Sequence, residues 1–208
     1  MSRWKQKLGE RLGAATKTAV DTELQAMIAQ AESLNEFVDK LMSKIKPGRP
    51  TGLSKLEEIG QCMKTYATKF SALATLPGVL SKGGEAVNGV STQERKMMDG
   101  VDGVIKNLKS WQGQDYKNVI SQKKVLEKAR LDMDAALNQQ RKGKGHDVQT
   151  KVDTTTAQYE KECDTMRDVL TKIPEWESAL AEQVQAYLKI QHEYYEGSEG
   201  VLSAVSGK

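Results

Sequence analysis

The chain has 208 residues, enough for one large domain or two small ones, and its composition favours helices over sheets. Hydrophobic residues make up 38% of the chain and aromatic residues 5%, while 28% of the residues are charged and four are proline, a poor profile for a β-sandwich. A nucleic-acid-binding protein of this size usually has a larger net charge than +3, although the overall charge decides little by itself. No nucleic acid is expected as a partner.

Cysteine content and hydropathy both favour a cytoplasmic protein. Cys62 and Cys163 lie far apart in the sequence and neither belongs to a CxxC pair, so we expect reduced, partly buried thiols. The N-terminus lacks the continuous apolar core of a secretory signal, and no stretch approaches the roughly 18 apolar residues that cross a bilayer. Any membrane contact is therefore expected to be peripheral.

Residues 1–20 have the pattern of a basic amphipathic helix. Apolar residues recur every three or four positions and form one narrow stripe on a helix: Trp4, Leu8, Leu12, Ala15 and Ala19. Basic residues cover the flanks of this stripe: Arg3, Lys5, Lys7, Arg11 and Lys17. Such a helix is suited to the headgroup layer of an anionic membrane, with Trp4, Leu8 and Leu12 inserted. The pattern also fits a short helix packed on its own domain, or a disordered basic tail.

Residues 21–208 begin with the repeat of a helical coiled coil. From Leu24 to Ile45, apolar residues alternate at spacings of three and four, and Asp21 and Thr22 precede them as a candidate N-cap. This pattern predicts a first helix over about 22–76. Two prolines and two glycines within residues 47–52 forbid regular helix there, so the helix is predicted to be broken at that point.

Two further long helices are predicted. The second covers about 92–140, and residues 78–100, rich in glycine and small side chains, are expected to hold a loop and the weak start of this helix. The third covers about 148–205, with a kink at Pro174. Helices of about 50–60 residues are roughly 75–90 Å long, which is too long for a compact bundle. The predicted fold class is therefore all-α, an elongated antiparallel three-helix coiled coil with kinked helices, and an apolar stripe left exposed on such a rod favours dimerisation.

A basic amphipathic N-terminal helix followed by three long kinked helices resembles the N-BAR domains of endophilins and amphiphysins over essentially the whole chain, and four segments carry more specific matches. Residues 126–134 (LEKARLDMD) are similar to the endophilin stretch L-E-x-R-R-L-D-F-D, and residues 140–144 (QRKGK) resemble the lysine-rich tip that follows it. Residues 183–195 resemble a segment of the last endophilin helix, and residues 173–176 (IPEW) resemble the amphiphysin kink. The sequence is therefore similar to the N-BAR domain family, and in particular to its endophilin and amphiphysin members.

The resemblance implies a crescent-shaped homodimer that binds anionic phospholipid membranes and senses or generates curvature, in trafficking such as endocytosis. Trp4, Leu8 and Leu12 would insert into the membrane. The lipid headgroups would be bound by three sets of basic residues: Arg3, Lys5, Lys7 and Arg11 on the first helix; Lys123, Lys124, Lys128 and Arg130 on the concave face; Arg141, Lys142 and Lys144 at the distal tip. For the last two sets, an ordinary solvated helix face and a solvated turn are the alternatives.

Two features depart from the endophilin pattern. Residues 46–52 stand where endophilins carry a longer insert with its own amphipathic segment, which puts membrane wedging there in doubt. No SH3 domain follows before the chain ends at Lys208, so recruitment of proline-rich partners is not carried over and protein partners stay unassigned.

No enzymatic activity, cofactor or metal is predicted. Neither His146 nor His192 belongs to an HExxH or ExxH arrangement, and no GxxxxGK[ST] or GxGxxG loop is present. The main alternative function is a helical scaffold or adaptor that acts through protein–protein contacts without remodelling membranes. Nucleic-acid binding is a weaker alternative, because the sequence has no basic surface interleaved with aromatic residues.

Overall fold

The structure, a computed structural model, describes residues 17–48, 52–143 and 147–206. Within these ranges the protein is made of α-helices and one π-helical turn, without strands, so the prediction of an all-α fold is confirmed. The elements in chain order are α1 (Thr22–Ile45), α2 (Lys55–Lys69), α3 (Leu76–Trp111), the π-helical turn (Gln112–Tyr116), α4 (Lys117–Arg141), α5 (Val148–Leu170) and α6 (Ile173–Ser206).

The chain divides into two packing units. Unit 1 comprises Met1–Asp39 and Ser110–Ser178, and unit 2 comprises Lys40–Lys109 and Ala179–Lys208. The three boundaries between the units fall inside α1, α3 and α6, and each unit takes its residues from distant parts of the sequence.

The core of unit 1 is formed by the apolar faces of α1, α4 and α5. Leu24, Ala31 and Val38, one heptad apart on α1, are fully buried, as the coiled-coil repeat predicts. Val119, Leu126 and Met133 contribute from α4, and Met166 and Leu170 from α5. A short turn joins α4 to α5, and Gly143 adopts a φ of 62° there, a conformation that favours glycine. The predicted basic turn near residue 143 is therefore a true helix boundary.

Helix α2, which lies in unit 2, has a well-defined N-terminal cap. Ser54 caps α2 by accepting a hydrogen bond from the backbone N–H of Glu57, whose carboxylate in turn accepts from the backbone N–H of Ser54. The Ser54 hydroxyl also lies 3.1 Å from that of Ser91 on α3, and Arg95 of α3 donates two hydrogen bonds to Glu57, at 2.8 and 2.6 Å. Arg95 and the Ser54 backbone both lower the pKa of the Glu57 carboxyl. The capping box thus also ties α2 to α3.

The expected loop after residue 78 is wrong: α3 is helical from Leu76. The glycines that suggested a loop instead allow α2 and α3 to approach closely. A Cβ built on Gly60 would lie 2.1 Å from Oδ1 of Asn88, and one on Gly84 would lie 3.0 Å from the Gly60 carbonyl oxygen. Helix packing at this distance offsets the low helix propensity of glycine.

The helix ends also differ from the prediction at two further places. The first long segment ends at Lys69, not near residue 76. The third is two helices: α5 ends at Leu170 and α6 begins at Ile173, so Pro174 lies in the first turn of a new helix, where its missing N–H costs little. The π-helical turn has no counterpart in the prediction. It follows Trp111, whose ring lies 5.9 Å from Tyr116 and 6.1 Å from Trp176.

A matched pair of valines on α4 tests this core. Val119 is 1% exposed and Val125 is 41% exposed. Val119→Ala should destabilise the protein by about 2 kcal/mol, because two buried methyl groups are lost and a cavity remains. Val125→Ala should change stability by less than about 0.5 kcal/mol. Urea unfolding followed by circular dichroism measures both, and equal effects would contradict the assignment of α4 faces.

Candidate membrane-binding surface

The sequence-predicted lipid-binding residues divide into those that the structure describes and those that it does not. Eight of them lie outside the described residues: Arg3, Trp4, Lys5, Lys7, Leu8, Arg11, Leu12 and Lys144. The other six all belong to α4 or to the turn that follows it: Lys123, Lys124, Lys128, Arg130, Arg141 and Lys142.

Three of the predicted lysines lie around one groove of unit 1, the α4 groove. Its lining consists of Lys123, Lys124 and Lys128 with Ile120, Leu131, Glu32 and Glu127, and its volume is about 520 Å³. Because Lys124 and Lys128 are four residues apart on a helix, their side chains lie on the same side of it. All three lysines are exposed. The structure thus brings together basic heads above an apolar floor, an arrangement that can contact an anionic headgroup.

Acidic residues moderate the charge of this groove. Lys123 forms an ion pair with Glu32 of α1, and about half of each side chain is exposed to solvent. Exposed pairs of this kind contribute little to stability and exchange readily with other partners. The charge of Lys123 is therefore partly neutralised by Glu32, whereas Lys124 and Lys128 are exposed to solvent.

Arg130 is buried and paired with two carboxylates, so its assignment to the headgroup-binding residues is corrected. Its side chain is 1% exposed. Its Nη1 donates to Asp134 at 2.6 Å, and its Nε and Nη2 each donate to Glu127 at 3.0 Å. A buried guanidinium held by two carboxylates cannot reach a lipid headgroup. The spacing of Glu127, Arg130 and Asp134 by three and four residues was the sequence signal for this network.

Asp134, the buried partner of Arg130, also receives hydrogen bonds from the N-terminal side of the chain. Its carboxylate is 2% exposed. The backbone N–H of Thr18 donates to its Oδ2 at 3.3 Å, and the Thr18 hydroxyl donates to its Oδ1. The backbone N–H of Thr18, its hydroxyl and Nη1 of Arg130 therefore donate to a charge whose burial would otherwise be costly. Sequence reasoning did not find this contact, because the residues are 116 positions apart.

The predicted distal tip is the turn between α4 and α5. Arg141 is the last residue of α4 and Lys142 follows as its C-cap, and both are exposed. The hairpin is held by hydrogen bonds from Gln140 Nε2 to Gln149 at 2.7 Å and from Lys151 Nζ to Gln139 at 3.1 Å. The turn therefore presents two basic side chains at a fixed end of unit 1.

The two thiols have different surroundings. Cys163 is buried beside Tyr159, and burial raises the pKa values of both its thiol and the Tyr159 hydroxyl. Cys62 is exposed on α2. The expectation of partial burial thus holds for Cys163 and is wrong for Cys62. Across residues 17–48, 52–143 and 147–206, no group of three or more His, Cys, Asp or Glu side chains is placed to hold a metal ion.

Unit 2 carries an exposed apolar groove that the sequence did not single out. The groove lies between α2, α3 and the end of α6 and has a volume of about 620 Å³. Tyr195 and Leu202 of α6 line it and are 65% and 50% exposed, and Met63, Ala86 and Val205 complete its apolar wall. Apolar surface of this kind on a single chain is typical of a protein–protein contact. No helix that the structure describes is long and apolar enough to cross a bilayer.

Comparison with known proteins agrees with these features. A family model described as BAR domain matches residues 1–208. Endophilin-B1 proteins of Rattus norvegicus, Mus musculus and Homo sapiens are each 23% identical to the chain over 220 residues, covering 94% of it. The chain spans 60% of the length of these relatives. The crystal structure of a BAR protein from Galdieria sulphuraria aligns with a TM-score of 0.53 and 13% identity, covering 90% of this chain and 97% of that one.

The structural role of Arg130 is tested against Lys128, its exposed neighbour on α4. Arg130→Ala should destabilise the protein by about 3–5 kcal/mol, because it leaves the buried Asp134 carboxylate without its cation. Lys128→Ala should alter stability by no more than about 0.5 kcal/mol. Denaturant midpoints of the two variants provide the comparison. An Arg130→Ala protein as stable as Lys128→Ala would exclude the buried ion pair.

Proposed function

Because the chain belongs to the BAR domain family, we propose that it binds anionic membranes as a curved homodimer and senses or generates their curvature. The observation that carries the proposal is the match of the BAR family model to residues 1–208. BAR domains and endophilin-like proteins are structural and adaptor proteins of membranes and not enzymes, so no catalytic residue is assigned. The resemblance read from the sequence is confirmed at the level of the family.

The α4 groove is the proposed contact with lipid headgroups in unit 1. Lys124 and Lys128 supply the charge, Lys123 adds to it when Glu32 releases it, and Arg141 and Lys142 contact the membrane at the turn. Each cation near an anionic surface contributes on the order of 1 kcal/mol, and this attraction decays within a Debye length of about 8 Å at physiological salt. One protomer therefore binds weakly, and the proposed function needs several cations to act together.

The N-terminal residues supply the second proposed contribution. Trp4, Leu8 and Leu12 insert between lipids, while Arg3, Lys5, Lys7 and Arg11 remain with the headgroups, and Lys144 joins the tip residues. The support for this part is the sequence pattern, since these residues lie outside the described ranges. Burial of three large apolar side chains adds a few kcal/mol, on the order of the charge contribution. Insertion into one leaflet also expands that leaflet, which favours curvature.

Homodimerisation is the third part of the proposal, and BAR domains typically dimerise. The apolar groove of unit 2 supports it, because Tyr195 and Leu202 expose apolar surface that a second copy would cover. Exposed side chains of α2, among them Ile59 and Tyr66, enlarge the apolar surface of this unit. A dimer doubles the number of cations that meet one membrane and so converts weak contacts into stable binding. We place this work on the cytoplasmic side of membranes, as a peripheral protein of trafficking or endocytosis.

Membrane binding is tested with variants of the two lipid-contacting regions. Wild-type protein should co-sediment with phosphatidylserine vesicles, form tubules visible by negative-stain electron microscopy, and bind poorly to neutral vesicles. Leu8→Asp with Leu12→Asp should strongly reduce binding, because the apolar contribution is lost and two carboxylates are placed against anionic headgroups. Lys124→Glu with Lys128→Glu should weaken binding by more than roughly tenfold at low salt.

The matched control is Lys106→Glu with Lys109→Glu, which makes the same charge change at two exposed lysines of α3. Equal loss of binding in the control would mean that net charge matters and the α4 groove does not. Full binding by the leucine double variant would favour the alternative of a scaffold that works through protein contacts.

Dimerisation is tested separately from lipid binding. Leu202→Asp should convert the dimer to a monomer, because it places a charge in the apolar groove of unit 2. Val125→Asp, an exposed apolar position on α4, should leave the dimer intact. Sedimentation velocity in the absence of lipid measures both. A monomeric wild-type protein at micromolar concentration would contradict the proposed homodimer.

A further inference from the structure

Residues 17–21, here called the connector, join the N-terminal segment to α1 and are held at both ends by side-chain contacts. Thr18 binds Asp134 of α4 through its backbone N–H and its hydroxyl. Asp21 accepts a hydrogen bond from Nη2 of Arg167 on α5 at 2.8 Å. All four residues belong to unit 1. A non-helical segment of five residues is thus attached to two different helices that are distant in the sequence.

The contact at Thr18 is set by the buried Asp134. This carboxylate has one cation beside it, Arg130, which also binds Glu127. A carboxylate can accept about four hydrogen bonds, and leaving its remaining acceptors empty in the interior is costly. Thr18 provides donors from its backbone and from its hydroxyl, so its position is fixed by a charge that the fold has already buried.

The contact at Asp21 adds a second restraint. Its Oδ1 accepts from the backbone N–H of Glu23 at 3.1 Å and so caps α1, while its Oδ2 pairs with Arg167. Arg167 and the backbone N–H of Glu23 both lower the pKa of the Asp21 carboxyl. Gln25 closes the turn by donating to the Val20 carbonyl oxygen at 2.7 Å. The start of α1 and the end of the connector are therefore one rigid corner.

We propose that the connector is a clamp that fixes the point at which the N-terminal amphipathic segment leaves unit 1, with Thr18 and Asp21 as positioning residues. This inference rests on the proposed function, in which that segment inserts into the membrane. A flexible chain of five residues has an end-to-end distance of roughly 12 Å with wide scatter. The clamp removes this freedom, so apolar insertion takes place at a constant distance from the cations of the α4 groove and is transmitted to the helices.

The first experiment measures the clamp without lipid. A nitroxide is attached to Ala19→Cys, an exposed position between the two contacts, in a Cys62→Ser background that removes the exposed thiol. Thr18→Val keeps the side-chain shape and loses the hydroxyl donor, so the electron paramagnetic resonance spectrum should shift to fast motion. Thr18→Ser retains the donor and should keep the slow spectrum, as should Thr22→Val at an exposed neighbouring threonine. An unchanged spectrum for Thr18→Val would overturn the clamp.

The second experiment measures what the clamp does on membranes. The two variants used are Thr18→Val and Asp21→Asn, of which the second preserves the cap but weakens the ion pair with Arg167. Both should bind phosphatidylserine vesicles like wild type. At equal amounts of bound protein, both should fail to form tubules. Thr18→Ser should tubulate like wild type. Normal tubulation by both weakened variants would overturn the positioning role. Failure of wild-type protein to bind these vesicles would instead overturn the proposed function, while the lipid-free spectra would still decide the clamp.

Discussion

The buried carboxylate of Asp134 organises unit 1. A charge in the interior must be compensated, and two parts of the chain meet this requirement: Arg130 from the same helix, which also binds Glu127, and Thr18 from the connector. The consequence is that the connector, α1 and α4 are held together at this carboxylate. A neutral residue at position 134 would need neither the cation of Arg130 nor the hydrogen bonds from Thr18. The burial of this one charge therefore determines where the connector is held.

The same helix shows why charge patterns in a sequence are ambiguous. Lys124, Lys128 and Arg130 looked alike as basic residues of one stretch, yet the first two are exposed and Arg130 is buried. The difference lies in the partners. Arg130 has carboxylates three residues before and four residues after it, and its planar guanidinium binds both, whereas a lysine ammonium cannot form such a fork. Spacing to acids, and not charge alone, would have separated the buried Arg130 from the exposed lysines.

Much of the fold followed from periodicity, and the failures have identifiable physical causes. The heptad of Leu24, Ala31 and Val38 predicted a buried face, because burial repeats with the helix turn. The glycines after residue 78 led to a wrong prediction of a loop. The sequence alone does not distinguish a glycine that permits close helix packing from one that ends a helix. The distinction comes from the neighbouring helix, as where Asn88 lies opposite Gly60. The contact of Thr18 with Asp134 could not be predicted from the sequence, because no local pattern relates residues that are 116 positions apart.

The two proposed sources of membrane affinity are individually weak, which makes their relative placement matter. Coulomb attraction to headgroups acts within about a Debye length, and apolar insertion acts only where the segment enters the bilayer. If the two were joined by a loose chain, each would bind lipid independently and the apolar insertion would exert little force on the helices. In the arrangement that we propose, the connector held at Thr18 and Asp21 fixes the point at which the N-terminal segment leaves unit 1, so that the free energy of insertion is available to bend the membrane and not only to bind it.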